Sequence, residues 1–195
     1  MGLPLVLGSG SPRRRELLTR AGIAFEVLPA DIDEIAEVGE EPAAFALRLA
    51  REKAHAVAMR VGAAPRRLVL GADTIVVIDA DVLGKPTDPE DAVRLLSRLV
   101  GREHRVLTAV AVIASDRLAH AETCVVTSRV SMRPASDEEI RRYVATGEPL
   151  DKAGAYAAQG EGRRFVERID GSESNVIGLP IDETLALLRE SGMRA

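Results

Sequence analysis

The chain has no Trp, two Tyr and three Phe among 195 residues, one Cys, and three His. The scarcity of aromatics argues against a base-stacking platform for single-stranded nucleic acid, and assigns the core to Leu, Val, Ile and Ala. The single cysteine, Cys124, rules out an internal disulfide and fits a reducing compartment, where it packs as a small apolar group. The histidines, His55, His104 and His120, have no zinc spacing and no Cys pairs beside them. There is no G-x-S-x-G elbow, so nucleophilic serine chemistry has no support. No window is long and apolar enough for a membrane span. The first residues place their charge after a short apolar run, the reverse of a signal peptide. Together these features predict a cytoplasmic protein. The formal net charge of −4 supplies no global positive field for nucleic acid or an anionic membrane.

Lysine is also scarce. Of 26 Lys and Arg residues only three are Lys: Lys53, Lys85 and Lys152. Where arginine serves at every tolerant surface site, the surviving lysines concentrate where a compact ammonium is needed and a planar fork is not.

What is present reads as one α/β domain over 1–195 with a mixed sheet, two lobes and a cleft between them. Leu3–Gly8 predicts a buried strand, Pro12 to Ala21 a helix capped by Ser11, and Phe25–Leu28 a second strand. A long helix is expected over Pro42–Val61, with Leu47, Ala50, Ala54, Val57, Ala58 and Val61 on its apolar face. Leu68–Gly71 and Ile75–Ile78 read as two strands, followed by a turn at Asp79–Asp81. Asp88 and Pro89 open a helix ending near Val100. Arg105–Ala114 and Glu122–Met132 read as long neighbouring strands, the second with Cys124, Val126, Val130 and Met132 at even spacing. Ser136 and Glu139 form a capping box for a helix reaching about Thr146. Arg163–Ile169 reads as a further strand, and Pro180–Ser191 as a closing helix with Leu185 and Leu188 inward.

Four constellations could carry chemistry. In GSGSPRRR (8–15) a strand turns into a helix N-terminus, a natural anion site. Ser9 and Ser11 add hydroxyls there. Arg13 and Arg14 place charge in the first helical turn, against the dipole, which implies an anion nearby or else a solvated basic face. It is neither a Walker A loop nor a dinucleotide fingerprint. The acidic stretch Asp31, Asp33, Glu34 and Glu37 suits a hard cation such as Mg²⁺, or is a solvated loop. Asp73, at the end of an apolar strand, could bind a metal, act as a general base on water, or form a turn. The stretch from Gly147 through Lys152 to Tyr156 and Gln159 offers a cation, which serves phosphates or pairs with Asp151, and an amide able to read a base edge. Cations, two separate acids and no evident nucleophile make an inventory for metal-assisted phosphoryl or nucleotidyl chemistry.

The segments SGSPRR (9–14), DIDE (31–34), LAREKA (49–54), LGADTIV (70–76), GKP (84–86), YVATGEPLDKAGAY (143–156) with Gln159, and VIGLP (176–180) run nearly end to end. In these the chain resembles the Maf family of nucleoside triphosphate pyrophosphatases. The resemblance implies a two-lobed α/β fold like that of inosine triphosphate pyrophosphatases, with a nucleotide in a cleft. It implies hydrolysis to a monophosphate and pyrophosphate with Mg²⁺, or Mn²⁺ in its place. By the same resemblance Asp73 is the catalytic or metal-associated acid and Glu34 stands near the metal. Ser9, Arg14, Lys53 and Lys85 surround the phosphates, with Lys152 as an additional candidate. Arg13, Thr74 and Gln159 match the positions that distinguish the dTTP/UTP branch from the branch acting on 7-methyl-GTP. Ala157–Ala158 and Ser172–Asn175 depart from the usual pattern and bear on pocket shape. The implied partner is a small nucleotide, with no stable nucleic acid and no membrane; a homodimer is compatible. The alternatives are the same reaction on 7-methyl-GTP or another nucleotide, and a regulatory binding protein of septum formation.

Overall fold

The computed structural model describes residues 3–193. Seven strands and six α-helices alternate through the described residues: β1 (Leu5–Leu7), α1 (Pro12–Arg20), β2 (Phe25–Val27), α2 (Pro42–Val61), β3 (Leu68–Ile78), β4 (Asp81–Leu83), α3 (Pro89–Leu99), β5 (Glu103–Ala114), β6 (Ala121–Met132), α4 (Asp137–Val144), β7 (Val166–Asp170), α5 (Glu173–Ile177) and α6 (Ile181–Glu190). This is the mixed α/β class expected. The described residues divide into two compact units, one of residues 3–73, 108–126 and 178–193, the other of residues 74–107 and 127–177.

In the first unit β1 lies between β2 and β3 and is parallel to both, with Leu5, Val6 and Leu7 opposite Leu68, Val69 and Leu70. The chain leaves β1 for β2 through α1 and returns past β1 to β3 through α2. That reversal of strand order opens a crevice at the carboxyl ends of β1 and β3, where α/β sheets bind ligands. β1 stops at Leu7 while β3 continues beyond Leu70, so Asp73 stands past the end of its neighbour. The α2 boundaries agree with the sequence reading. Its buried face is Phe45, Ala46, Leu49, Ala50, Lys53, Ala54, Val57 and Ala58, whereas Leu47 and Val61 are only half-buried. Small residues on that face let α2 lie close against β3. A methyl group at Gly71 would stand 2.3 Å from the Ala50 carbonyl oxygen and 2.6 Å from the Ala54 nitrogen.

The second unit packs α3 and α4 around a core that includes Val76, Leu96, Val106, Tyr143 and Phe165. Asp88 caps α3 by accepting from the Asp91 N–H (2.8 Å), with Pro89 in the first turn. The Ser136–Glu139 capping box of α4 is present in both directions.

Several expectations are corrected. The two strands predicted over Leu68–Gly71 and Ile75–Ile78 are one, because Asp73 satisfies its carboxylate with Lys53 and need not break the strand. β4 was not expected. It follows a two-residue turn in which Asp79 has φ 56°, and it pairs antiparallel with β3. Arg163–Phe165 belong to a 3-10 turn (Gly160–Phe165), not to the strand. Met132, the end of β6, pairs with Val166, which leaves earlier residues no partner on β6. The helix at Ser136 stops at Val144, short of Thr146. α5 was missed. In α6 Leu187 and Leu188 are buried and Leu185 is half-buried. On β6 the even positions are buried at Ser128, Val130 and Met132, whereas Cys124 and Val126 are half-buried.

Candidate active site

The site in the first unit is built from the turn after β1. Ser11 caps α1, accepting from the Arg14 N–H at 3.4 Å. The helical turn begun by Pro12 points Arg14 inward and leaves Arg15 exposed, with Arg13 half-buried between them. The Arg14 fork reaches three neutral oxygens. Nε donates to the Gly178 carbonyl (2.8 Å), and Nη1 to the Ala72 carbonyl (2.9 Å) and to Ser9 Oγ (3.1 Å). Ser9 Oγ also accepts from the Ser11 N–H at 3.2 Å. One guanidinium thus ties the turn after β1 to β3 beside Asp73 and to Gly178, three residues ahead of α6. Burial lowers the Arg14 pKa from its ordinary value, and the charge of Asp73 partly offsets this.

Asp73, 6% exposed, faces α2. Its Oδ1 accepts from Lys53 Nζ at 2.6 Å, and the same ammonium lies 2.5 Å from Glu34 Oε1. The acidic loop carrying Glu34 is fastened to α2 by Arg48. That guanidinium bonds Glu40 through Nε and Nη2 (2.8 and 2.7 Å) and donates to the Ile35 carbonyl (3.0 Å). Five predicted residues, Ser9, Arg14, Glu34, Lys53 and Asp73, therefore meet at the carboxyl ends of β1 and β3. Four of them are buried, and Glu34 is exposed. Burying charged side chains is costly without partners, so this density of charge in a small core is a strong mark of a working site.

Glu34 and Asp73 converge on one positive centre, the Lys53 ammonium. Among the described residues no cluster of three or more His, Cys, Asp or Glu could hold a metal. Two carboxylates are the protein share that Mg²⁺ takes when water and substrate phosphates complete its shell, so the donor set fits that ion and not an all-protein cage.

Arg13, on α1, also lies in the first unit; the remaining predicted residues belong to the second. Thr74, half-buried, follows Asp73 on β3. Lys85 is exposed in the turn after β4, and the Gly84 carbonyl beside it accepts from the Gly154 N–H at 3.0 Å. Lys152 takes the role of partner to Asp151 (2.6 Å) and donates as well to the Glu148 carbonyl. Gln159 is half-buried at the start of the Gly160–Phe165 turn. Sequence reasoning missed the carbonyls of Ala72 and Gly178 as seats for Arg14. Backbone acceptors leave no residue-type signal, although VIGLP does contain Gly178.

A family model described as Maf-like protein matches residues 4–191. A dTTP/UTP pyrophosphatase of Anaeromyxobacter dehalogenans (strain 2CP-1) is 54% identical over 189 residues, covering 96% of this chain and 94% of that one. A dTTP/UTP pyrophosphatase of Hahella chejuensis is 50% identical over 193 residues, covering 97% and 93%. Among solved structures, a HAM1 protein from Coxiella burnetii superposes with a TM-score of 0.50 at 14% identity, covering 97% of this chain and 96% of that one. That likeness concerns the fold alone.

Proposed function

The chain belongs to the Maf family, and from this membership we propose that it hydrolyses dTTP and UTP to the monophosphate and pyrophosphate. The observation that carries the reading is the meeting of Asp73 with Lys53, Arg14 and Ser9 at the crevice of the sheet. Relatives about half identical over nearly their whole length, bearing the name dTTP/UTP pyrophosphatase, support the substrate.

In this reading Asp73 orients a water and takes its proton as the oxygen attacks the α-phosphorus. The bond from that phosphorus to the bridging oxygen breaks, and pyrophosphate leaves with the electron pair. Lys53 holds the Asp73 carboxylate in a fixed direction. The N-terminus of α1, Ser9 and Arg14 attract the phosphates, and Lys85 adds a charge from its turn. A divalent cation, Mg²⁺ or Mn²⁺, would be held by Glu34 and Asp73 and would neutralise charge developing on the phosphate oxygens. Arg13, Thr74 and Gln159 select the base, with the neutral Gln159 amide suited to the N3–H and O4 of uracil or thymine. The lone cysteine agrees with a cytoplasmic setting.

The test is product analysis over a panel of nucleotides, 7-methyl-GTP included, with Mg²⁺ and with chelator. UTP and dTTP should yield pyrophosphate, and Asp73→Asn should lose nearly all turnover while remaining folded. Orthophosphate as the product, or full activity in D73N, would contradict the assignment.

A further inference from the structure

Tyr143 and Glu148 bracket the segment that carries Gln159. The Tyr143 hydroxyl accepts from the Ala157 N–H at 3.1 Å, and its pKa is raised by burial and by the neighbouring Glu148 carboxylate. That carboxylate accepts from the Glu161 N–H through Oε1 (3.1 Å) and from the Gly162 N–H through Oε2 (2.8 Å). Gln159 lies midway between the two points of attachment. Both anchors are themselves fixed. The Tyr143 ring is fully buried and packs edge-on against Phe165 at 5.3 Å, and Lys152 Nζ donates to the Glu148 carbonyl. The carboxylate lies so close to the loop that a methyl group at Gly160 would stand 2.2 Å from Glu148 Oε1, and Gly160 has φ 71°. Burial raises the Glu148 pKa, but the hydrogen bonds from Tyr143, Gly162 and Glu161 outweigh it and leave a net lowering.

We propose that Tyr143 and Glu148 are positioning residues for base selection: a latch that fixes the 157–162 backbone so that the Gln159 amide presents one orientation to the nucleobase. This rests on the reading of Gln159 as a base-selecting residue. An amide on a mobile loop would lose the directional hydrogen bonds that separate one base from another. Uracil and cytosine have nearly the same size and differ at the edge that Gln159 would read, so a loosened loop should admit CTP before it slows the reaction.

The experiment compares wild type, Gln159→Ala, Glu148→Gln and Tyr143→Phe. It measures kcat and KM for UTP and CTP, the Tm, and hydrogen exchange of the peptide spanning 157–163. In E148Q the UTP-to-CTP ratio of kcat/KM should fall about tenfold, the scale of one misdirected hydrogen bond, with KM for UTP changing more than kcat. Exchange in the loop should rise, and Y143F should do the same more weakly. A merely structural role would lower Tm and depress both nucleotides alike. A ratio unchanged in E148Q and Y143F but collapsed in Q159A overturns the latch. A ratio unchanged in Q159A overturns the Gln159 reading, and with it any part of the latch in selection. Loop exchange unaltered in E148Q overturns the hold on the backbone whatever Gln159 does.

Discussion

Removing Lys53 should destabilise the protein more than removing the acid it serves. The Lys53 and Asp73 side chains are 11% and 8% exposed, and their contact is 2.6 Å. Breaking a buried pair by deleting one partner costs about 3–5 kcal/mol, because the other charge stays buried alone. In Lys53→Met that charge is Asp73, softened by the nearby charge of Arg14, so the expected loss is at the low end, about 3 kcal/mol. In Asp73→Asn the ammonium keeps Glu34, whose side chain is 41% exposed. That mutant should lose only about 1 kcal/mol, the worth of one hydrogen bond. Glu34 itself, half in water, adds little to stability. The double mutant K53M/D73N removes both buried charges and should lose about 1–2 kcal/mol, well short of the sum, for a coupling of about 2–3 kcal/mol. Equilibrium urea unfolding reads these values, since a slope of about 2 kcal/mol/M turns each kcal/mol into a midpoint shift of about 0.5 M. Both single mutants should be nearly inactive. Strict additivity, or a D73N less stable than K53M, would refute the claim that Lys53 compensates a buried Asp73.

Two further changes test the packing around the units. Gly71→Ala drives a methyl group into the backbone of α2, 2.3 Å from the Ala50 carbonyl; backbone cannot swing aside, so a loss of about 3 kcal/mol is expected, with reduced activity because α2 carries Lys53. Unfolding of G71A at wild-type denaturant concentrations would refute this. His104 is 2% exposed, bonds Tyr156 through Nε2 at 2.8 Å, and is pushed by burial from 6.5 down to about 4. The folded state holds it neutral while the unfolded chain binds a proton, so its contribution is intact above pH 6.5 and drains away down to about pH 4, by about 3 kcal/mol in total. Relative to His104→Gln, the wild type should show that extra loss in acid; parallel stability curves between the two would refute it.

The sequence disclosed those parts of the molecule that local chemistry decides. Ser11 before Pro12, Asp88 before Pro89 and Ser136 before Glu139 mark helix starts because a side chain must meet backbone N–H groups there, and each does so. Ser9, Arg14, Glu34, Lys53 and Asp73 were legible as chemically specific types, and they meet in the first unit. What stayed hidden depends on partners far along the chain. β3 looked broken at Asp73 because its compensating cation lies 20 residues upstream on α2. Phe165 looked like strand, but β6 ends at Met132 opposite Val166. Nothing in the local sequence singled out Arg48, whose fork fastens the acidic loop to the helix. Glu148 gave no sign that its two oxygens cap successive N–H groups thirteen and fourteen residues on.

The shortage of lysine acquires a physical reason at two of its three positions. Lys53 must serve two carboxylates arriving from different elements, Glu34 from a loop and Asp73 from β3, at 2.5 and 2.6 Å from one nitrogen. A tetrahedral ammonium can do this from a single point, whereas a guanidinium spreads its donors in a plane and would need both acids to lie in it. Lys152 likewise donates from one nitrogen to the Asp151 carboxylate and the Glu148 carbonyl. Arg14 has the opposite task. Its acceptors, the carbonyls of Gly178 and Ala72 and the Ser9 hydroxyl, are distributed around the edge of a fork, and a single nitrogen would have to abandon at least one of them. The division between lysine and arginine thus follows the geometry of the acceptors. The buried cations of the site are not interchangeable, even though each brings the same charge.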